Sequence, residues 1–293
     1  MSDRLYPAKL LLFGEYTVLN GSQALAIPLT KWYGLWEENS SPIQTQSAFA
    51  EYISWMADKR IIDADTGSHM IEDHQKGMTF TSNIPIGYGL GSSGAYVAAL
   101  YDRYLSGSDL PVSELQKKLA EMESYFHGSS SGMDPMVSYT RSALYKNEKG
   151  EFRSVPDPGW PEGFQVFLLD TGMPRSTQRL VELYRQMMHN EKFGLTIKRQ
   201  LIPIVEHGIH SYLLSSASLL EDCLAQISAC QRKYFSDFIP DTVKEQWDDL
   251  QKEKGVYVKL CGAGGGGYFI VITTPNFQES LPSHLVLINF ENE

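Results

Sequence analysis

PIGYGLGSSGA (residues 85–95) contains GLGSSG at residues 89–94 and so satisfies the dinucleotide fingerprint G-x-G-x-x-G, as does GAGGGG at residues 262–267. A dinucleotide fold needs that fingerprint in the tight turn between the first strand and helix of a βαβ unit, with an acidic residue ending the next strand. Neither stretch has this context. After GLGSSG the next acidic residues, Asp102 and Asp109, fall on the following helix and in its turn, and no strand is signalled until well beyond Phe126. GAGGGG leads into the strand-like GYFIVITT and opens no helix. What residues 85–95 offer instead is an anion cradle. Glycines let successive N–H groups turn toward one centre, Ser92 and Ser93 add hydroxyls, and the helix that starts here adds the positive end of its dipole. A polyphosphate suits such a cradle, yet the chain has no G-x-x-x-x-G-K-[ST] loop and no H-R-D or D-F-G of protein kinases.

Outward from this loop, MTFTS (78–82) precedes it as a strand, and the helix it opens runs to about Leu105 with Val97, Leu100, Tyr101 and Tyr104 on one side. Pro111 and Ser113 start the next helix, whose apolar stripe is Leu115, Leu119, Met122 and Phe126. Toward the N-terminus, AKLLLF (8–13), ALAIPL (24–29) and WYGLWEE (32–38) read as three strands with a turn at NGS (20–22), and Phe49, Ile53 and Met56 recur at helical spacing. NEKGEF (147–152) reads as a hairpin tip. The proline- and glycine-rich SVPDPGWPEG (154–163) marks a boundary near residue 155, between domains of residues 1–155 and 156–293. The second half predicts a buried strand at FQVFLLDT (164–171), helices near 176–189, 196–232 and 241–254, and strands at VYVKLCG, GYFIVITT and HLVLINF (284–290). Mixed in this order, the elements imply an α+β or α/β protein.

The 293 residues can bury a sizeable core, and no apolar run approaches the ~20 residues that cross a bilayer. The N-terminus lacks the apolar run and cleavage site of a signal peptide, so the expected compartment is the cytoplasm. A net charge of -10 argues against a nucleic-acid or anionic-membrane partner. Cys223, Cys230 and Cys261 lack C-x-x-C spacing and are expected to be reduced core residues. VFLLDTG (166–172) matches the apolar-apolar-D-T-G of aspartic proteases, but only one copy exists and a helix signal follows it.

Four motifs occur in order: PAKLLLFGEYTVLNGSQALAIPL (7–29), PIGYGLGSSGA, FHGSSSGMDP (126–135) and KLCGAGGGG (259–267). Together they resemble the GHMP kinases, over residues 7 to 269. Within that superfamily HG-x-x-SG-x-D at residues 127–134, PRST at 174–177 and KL-x-GAGGGG are most similar to mevalonate kinases. GEYTVL resembles phosphomevalonate kinases as much, and Gly94 stands where an alanine is common. The resemblance implies a two-domain α+β fold, with an N-terminal domain like ribosomal protein S5 domain 2 and a ferredoxin-like C-terminal domain, and ATP meeting a small-molecule alcohol in the cleft between them. It implies ATP-dependent phosphorylation of (R)-mevalonate to 5-phosphomevalonate in isoprenoid biosynthesis, with ATP and Mg²⁺ as cofactors. The other readings kept open are a kinase for phosphomevalonate, a sugar or homoserine, and a non-catalytic ATP-binding metabolite sensor; a homodimer also stays open.

Residue by residue, Gly89, Leu90, Gly91, Ser92, Ser93 and Gly94 would hold ATP phosphates. Asp134 matches the family's catalytic aspartate, with a capping Asp before Pro135 as the plain alternative, and Lys9 matches the lysine set between that aspartate and the hydroxyl. Helix geometry points to Glu123 as a metal ligand, because it lies one turn beyond Leu119 at the edge of the apolar stripe whereas Glu121 points away. Its place eleven residues before Asp134 matches the magnesium-binding glutamate of mevalonate kinases, with the Ser93 hydroxyl as second ligand. Ser131, Arg175, Thr177, Gly262, Ala263 and Gly264 would position substrate or phosphate, and His127 would orient its neighbours.

Overall fold

The computed structural model describes residues 4–39, 47–107, 109–175, 177–277 and 281–288. By its internal contacts the chain forms two compact units. The first is Met1–Lys9, Pro28–Pro85 and Gly91–Leu144; the second is Leu10–Ile27, Ile86–Leu90 and Tyr145–Glu293.

Strand β1 (Tyr6–Phe13) is buried almost throughout, which its continuous apolar run dictates, and Lys9 is the anomaly within it, between the fully buried Ala8 and Leu10. The turn after it holds a 3-10 segment (Thr17–Asn20) closed by Gly21. β2 (Ala24–Glu38) is one 15-residue strand, not the two expected. Pro28 and the polar Thr30 and Lys31 do not interrupt it, because proline's fixed φ is compatible with extended backbone and costs a single N–H. α1 (Ser47–Asp58), α2 (Ala64–Gln75) and β3 (Met78–Ser82) follow, β3 pairing antiparallel with the second half of β2 from Gly34↔Ser82 to Glu38↔Met78. α2 carries almost no apolar pattern and buries only Gly67 and Met70, so its sequence gave no helical signal; Asp63 caps it by accepting the Thr66 N–H at 2.8 Å.

α3 (Ser92–Tyr104) and α4 (Val112–His127) lie where the sequence predicts them. α5 (Met133–Thr140), unexpected, starts inside the HG-x-x-SG-x-D stretch. β4 (Ala143–Lys146) and β5 (Phe152–Val155) form the hairpin, and the first sheet runs β1-β2-β4-β5 with β3 on β2.

In the second unit β6 (Gln165–Asp170) is followed by α6 (Thr177–Met187) and α7 (Glu191–Thr196). A π-helical turn (Ile197–Leu201) leads to α8 (Ile202–Leu213), and then come α9 (Ala217–Tyr234) and α10 (Asp241–Leu250). The single helix expected over 196–232 is therefore broken. Pro203, near the start of α8, lacks the N–H that an uninterrupted helix would need, and Ser215, at φ 52°, turns the chain before α9. β7 (Val256–Leu260), β8 (Tyr268–Thr273) and β9 (Val286–Ile288) complete an antiparallel sheet of order β7-β8-β6-β9. That order is the ferredoxin-like one, so the α+β expectation holds. The last two residues of HLVLINF lie outside the described residues. All three cysteines are buried and none forms a disulfide, and among the described residues no helix is long and apolar enough to cross a membrane.

Candidate active site

In the first unit, β1 delivers Lys9 and the first turn of α5 delivers Asp134. The Lys9 Nζ lies 3.0 Å from Asp134 Oδ1, with the lysine side chain 7% exposed and the aspartate 30%. Asp134 is not the cap of α5: Gly132, at φ 78°, holds that position, and the carboxylate sits in the first turn where the helix dipole favours negative charge. Gly91, at φ 75°, begins α3 directly against this pair. A Cβ there would stand 2.9 Å from the Lys9 Cγ and 3.3 Å from Asp134 Oδ2, so only glycine lets the loop backbone approach so closely. No side chain caps α3, which leaves the N–H groups of its first turn free for an anion.

Glu123, on α4, is buried, as the helix geometry predicts. Two serines donate to it: Ser93 Oγ to Oε1 at 3.1 Å and Ser130 Oγ to Oε2 at 2.5 Å. Burial, reinforced by the nearby Asp134 charge and opposed by the two serine hydroxyls and Lys9, raises its pKa from 4.5 to about 7. His127 Nε2 lies 2.9 Å from the Ser93 Oγ. Lys9, Ser93, Glu123 and Asp134, spread over 126 residues of sequence, are thus gathered in one unit. Ser131 is exposed; its Oγ accepts the Met133 N–H at 3.3 Å and its carbonyl accepts from Gln116 Nε2 at 3.1 Å, so its contacts serve the turn before α5.

Gly89, Leu90, Arg175, Thr177, Gly262, Ala263 and Gly264 belong to the second unit. Arg175 Nη1 donates to the Cys261 carbonyl at 2.5 Å, and its guanidinium fills the space a side chain would need at both Gly89 and Gly262. Thr177 is the exposed first residue of α6, and Ser176 of the PRST stretch lies outside the described residues.

Three features of these motifs escape the sequence reading. Ser130 is one of three consecutive serines, and nothing in the string distinguishes the one that reaches Glu123. Glu15 and Lys259 form an ion pair buried at both ends, and Lys259 also donates to the Leu260 carbonyl at 3.0 Å. Lys259 in an otherwise apolar strand was the available signal. Tyr16, at φ 62°, holds a backbone conformation rare outside glycine, pinned by its hydroxyl, which donates to the Ala263 carbonyl at 2.5 Å, and by rings of Tyr184 and Phe238 within 5 Å.

The GHMP kinases N terminal domain family matches residues 56–142. The mevalonate kinase of Thermococcus sibiricus (strain DSM 12597 / MM 739) is 32% identical over 302 residues, covering 89% of this chain and 86% of that protein. This chain belongs to the GHMP kinase family. The family member from Pyrococcus abyssi, also a mevalonate kinase, is 32% identical over 205 residues, and the match takes in 61% of this chain and 60% of that enzyme. Among solved structures of the family, the L. major mevalonate kinase in complex with R-mevalonate superposes with a TM-score of 0.66 at 17% identity, over 93% of this chain and 87% of that one. The GHMP kinase fold is therefore established independently by sequence and by shape.

Proposed function

We propose that this GHMP kinase transfers the γ-phosphoryl group of ATP to the 5-hydroxyl of (R)-mevalonate, giving 5-phosphomevalonate, a step of isoprenoid biosynthesis. The observation that carries the kinase reading is the Lys9–Asp134 pair, 3.0 Å apart and set against Gly91 at the open N-terminus of α3. The choice of acceptor is supported by the likeness to the T. sibiricus enzyme along most of the chain.

Phosphoryl transfer to an alcohol is mostly positioning and charge stabilisation. The free N–H groups of Ser92, Ser93 and Gly94 receive phosphate oxygens. Asp134 accepts the proton of the attacking hydroxyl, and the Lys9 ammonium, held beside it, stabilises the negative charge that develops on that oxygen. Glu123 and Ser93 supply only hard oxygen donors, which fits Mg²⁺, an ion that takes one or two protein oxygens and fills its shell with phosphates and water. Among the described residues no group of three or more His, Cys, Asp or Glu gathers into a metal cluster, and this chemistry requires none. When held there, the ion would neutralise phosphate charge. For Arg175, Thr177, Gly262, Ala263 and Gly264 the proposal remains phosphate or substrate positioning. The guanidinium laid against two glycines supports this for Arg175.

The test is product analysis with ATP, Mg²⁺ and a panel of mevalonate, phosphomevalonate, homoserine, galactose and a heptose phosphate. Phosphorylated mevalonate, lost on adding EDTA, is the expected result. Phosphorylation of another alcohol alone would overturn the acceptor, and ATP binding without transfer to any of them would make the chain a nucleotide-binding sensor.

A further inference from the structure

Ser130 lies next to the serine that the motif singles out and makes the contacts that serine does not. Its hydroxyl donates to Glu123 Oε2 at 2.5 Å and accepts the Gly132 N–H at 2.9 Å. A hydroxyl has one hydrogen, so both roles together fix its rotation and give a one-way chain from Gly132 N–H through Ser130 O–H to the carboxylate, each bond polarising the next. Gly132 is the residue from which α5 starts, and Asp134 is two residues further on. The other Glu123 oxygen is held by Ser93, so the carboxylate is gripped from α3 on one side and from the turn before α5 on the other. Bonds to a ligating carboxylate set which lone pairs face the ion.

We propose that Ser130 is a positioning residue that presents the Glu123 carboxylate to the divalent cation and ties it to the turn that delivers Asp134. This rests on the assignment of Glu123 and Ser93 as cation ligands. In this role Ser130 acts through the Glu123 carboxylate, to which its hydroxyl donates. Its neighbours Ser129 and Ser131 are both exposed, and the Ser131 hydroxyl accepts the Met133 N–H rather than reaching Glu123.

The test uses the full chain with ATP, Mn²⁺ as the cation probe and its electron paramagnetic resonance signal as the readout. Ser130→Ala should weaken Mn²⁺ retention in the ATP complex by about 10- to 100-fold, as loss of an outer-shell partner does elsewhere, while Ser130→Thr, which keeps the hydroxyl, should stay within about threefold of the unmodified chain. ATP affinity without metal should be the same in all three. If Ser130→Ala fails to fold at the assay temperature, Ser130→Cys, close in size but a weak donor, takes its place with the same expectation. Wild-type Mn²⁺ binding in Ser130→Ala alongside weakened binding in Glu123→Gln would overturn the role of Ser130 and leave the metal assignment standing. Wild-type binding in Glu123→Gln would overturn the metal assignment, and this inference with it. Equal weakening in the alanine and threonine variants would show that side-chain shape, not the hydroxyl, matters, and would also overturn it.

Discussion

A glutamate buried beside an aspartate stores a pH dependence that can be read without substrate. Glu123 has its pKa raised from 4.5 to about 7 in the folded chain by burial first and by the Asp134 charge second. Between these values the folded protein binds more protons than the unfolded one, so stability is highest below about pH 4.5 and falls as pH rises toward 7. The full shift corresponds to roughly 3 kcal/mol. Glu123→Gln removes the charge but keeps hydrogen-bonding capacity, so in metal-free protein its melting temperature should match the parent near pH 5 and exceed it at pH 8. Melts in chelator at the two pH values check this, and a difference independent of pH would contradict it. The burial of Glu123 was legible in the sequence, because helical spacing alone set it inward of Glu121. The choice of Ser130 over Ser131 was not, since three identical residues in a turn carry no periodicity and only the turn's path decides which one faces α4.

Where α3 and α5 meet, there is no room for a methyl group. A Cβ on Gly94 would stand 2.8 Å from the Asp134 carbonyl carbon and the Pro135 nitrogen, both backbone atoms that cannot swing aside. This accounts for glycine at the place where the resemblance suggests alanine. Gly94→Ala should cost about 1 to 3 kcal/mol through overpacking and should lower turnover by displacing Asp134, measured by denaturant melts alongside steady-state rates. An unaltered melt with unaltered turnover would contradict the tight packing of α3 on α5 at Gly94. Gly91→Ala should also destabilise, by about 1 to 2 kcal/mol for its left-handed backbone alone. Elements with strong periodicity or β-rich runs, such as β3, α4 and β8, were legible. α2 and α5 were hidden because one is held by its cap and few apolar residues and the other is a two-turn helix inside a motif. The break between α8 and α9 was hidden because the apolar spacing continues across Ser215, whose backbone alone turns the chain.

Over the whole molecule, chain order and spatial grouping diverge. The boundary expected near residue 155 came from a proline- and glycine-rich stretch, a local signal, whereas the compact units take residues 10–27 and 86–90 together with the C-terminal half, an exchange that only non-local contacts define. The buried Glu15–Lys259 pair belongs to this second unit and joins residues 244 apart. Lys259→Met, which removes the buried ammonium paired with Glu15, should cost about 3 to 5 kcal/mol, and Glu15→Gln added to it should recover part of that loss; a double variant no more stable than the single one would contradict a direct pairing. In the proposed function Asp134 and Lys9 carry proton transfer in an ATP-dependent phosphorylation of an alcohol. Single-turnover transfer from ATP to (R)-mevalonate, with calorimetric ATP affinity measured in parallel, tests it most directly. Asp134→Asn should slow the chemical step by about 10²- to 10⁴-fold with ATP affinity retained, and Lys9→Met should slow it too, with the double variant losing less than the product of the two. An Asp134→Asn chain that transfers phosphate within about threefold of the unmodified rate, far short of a general-base loss, would rule out Asp134 as the proton acceptor.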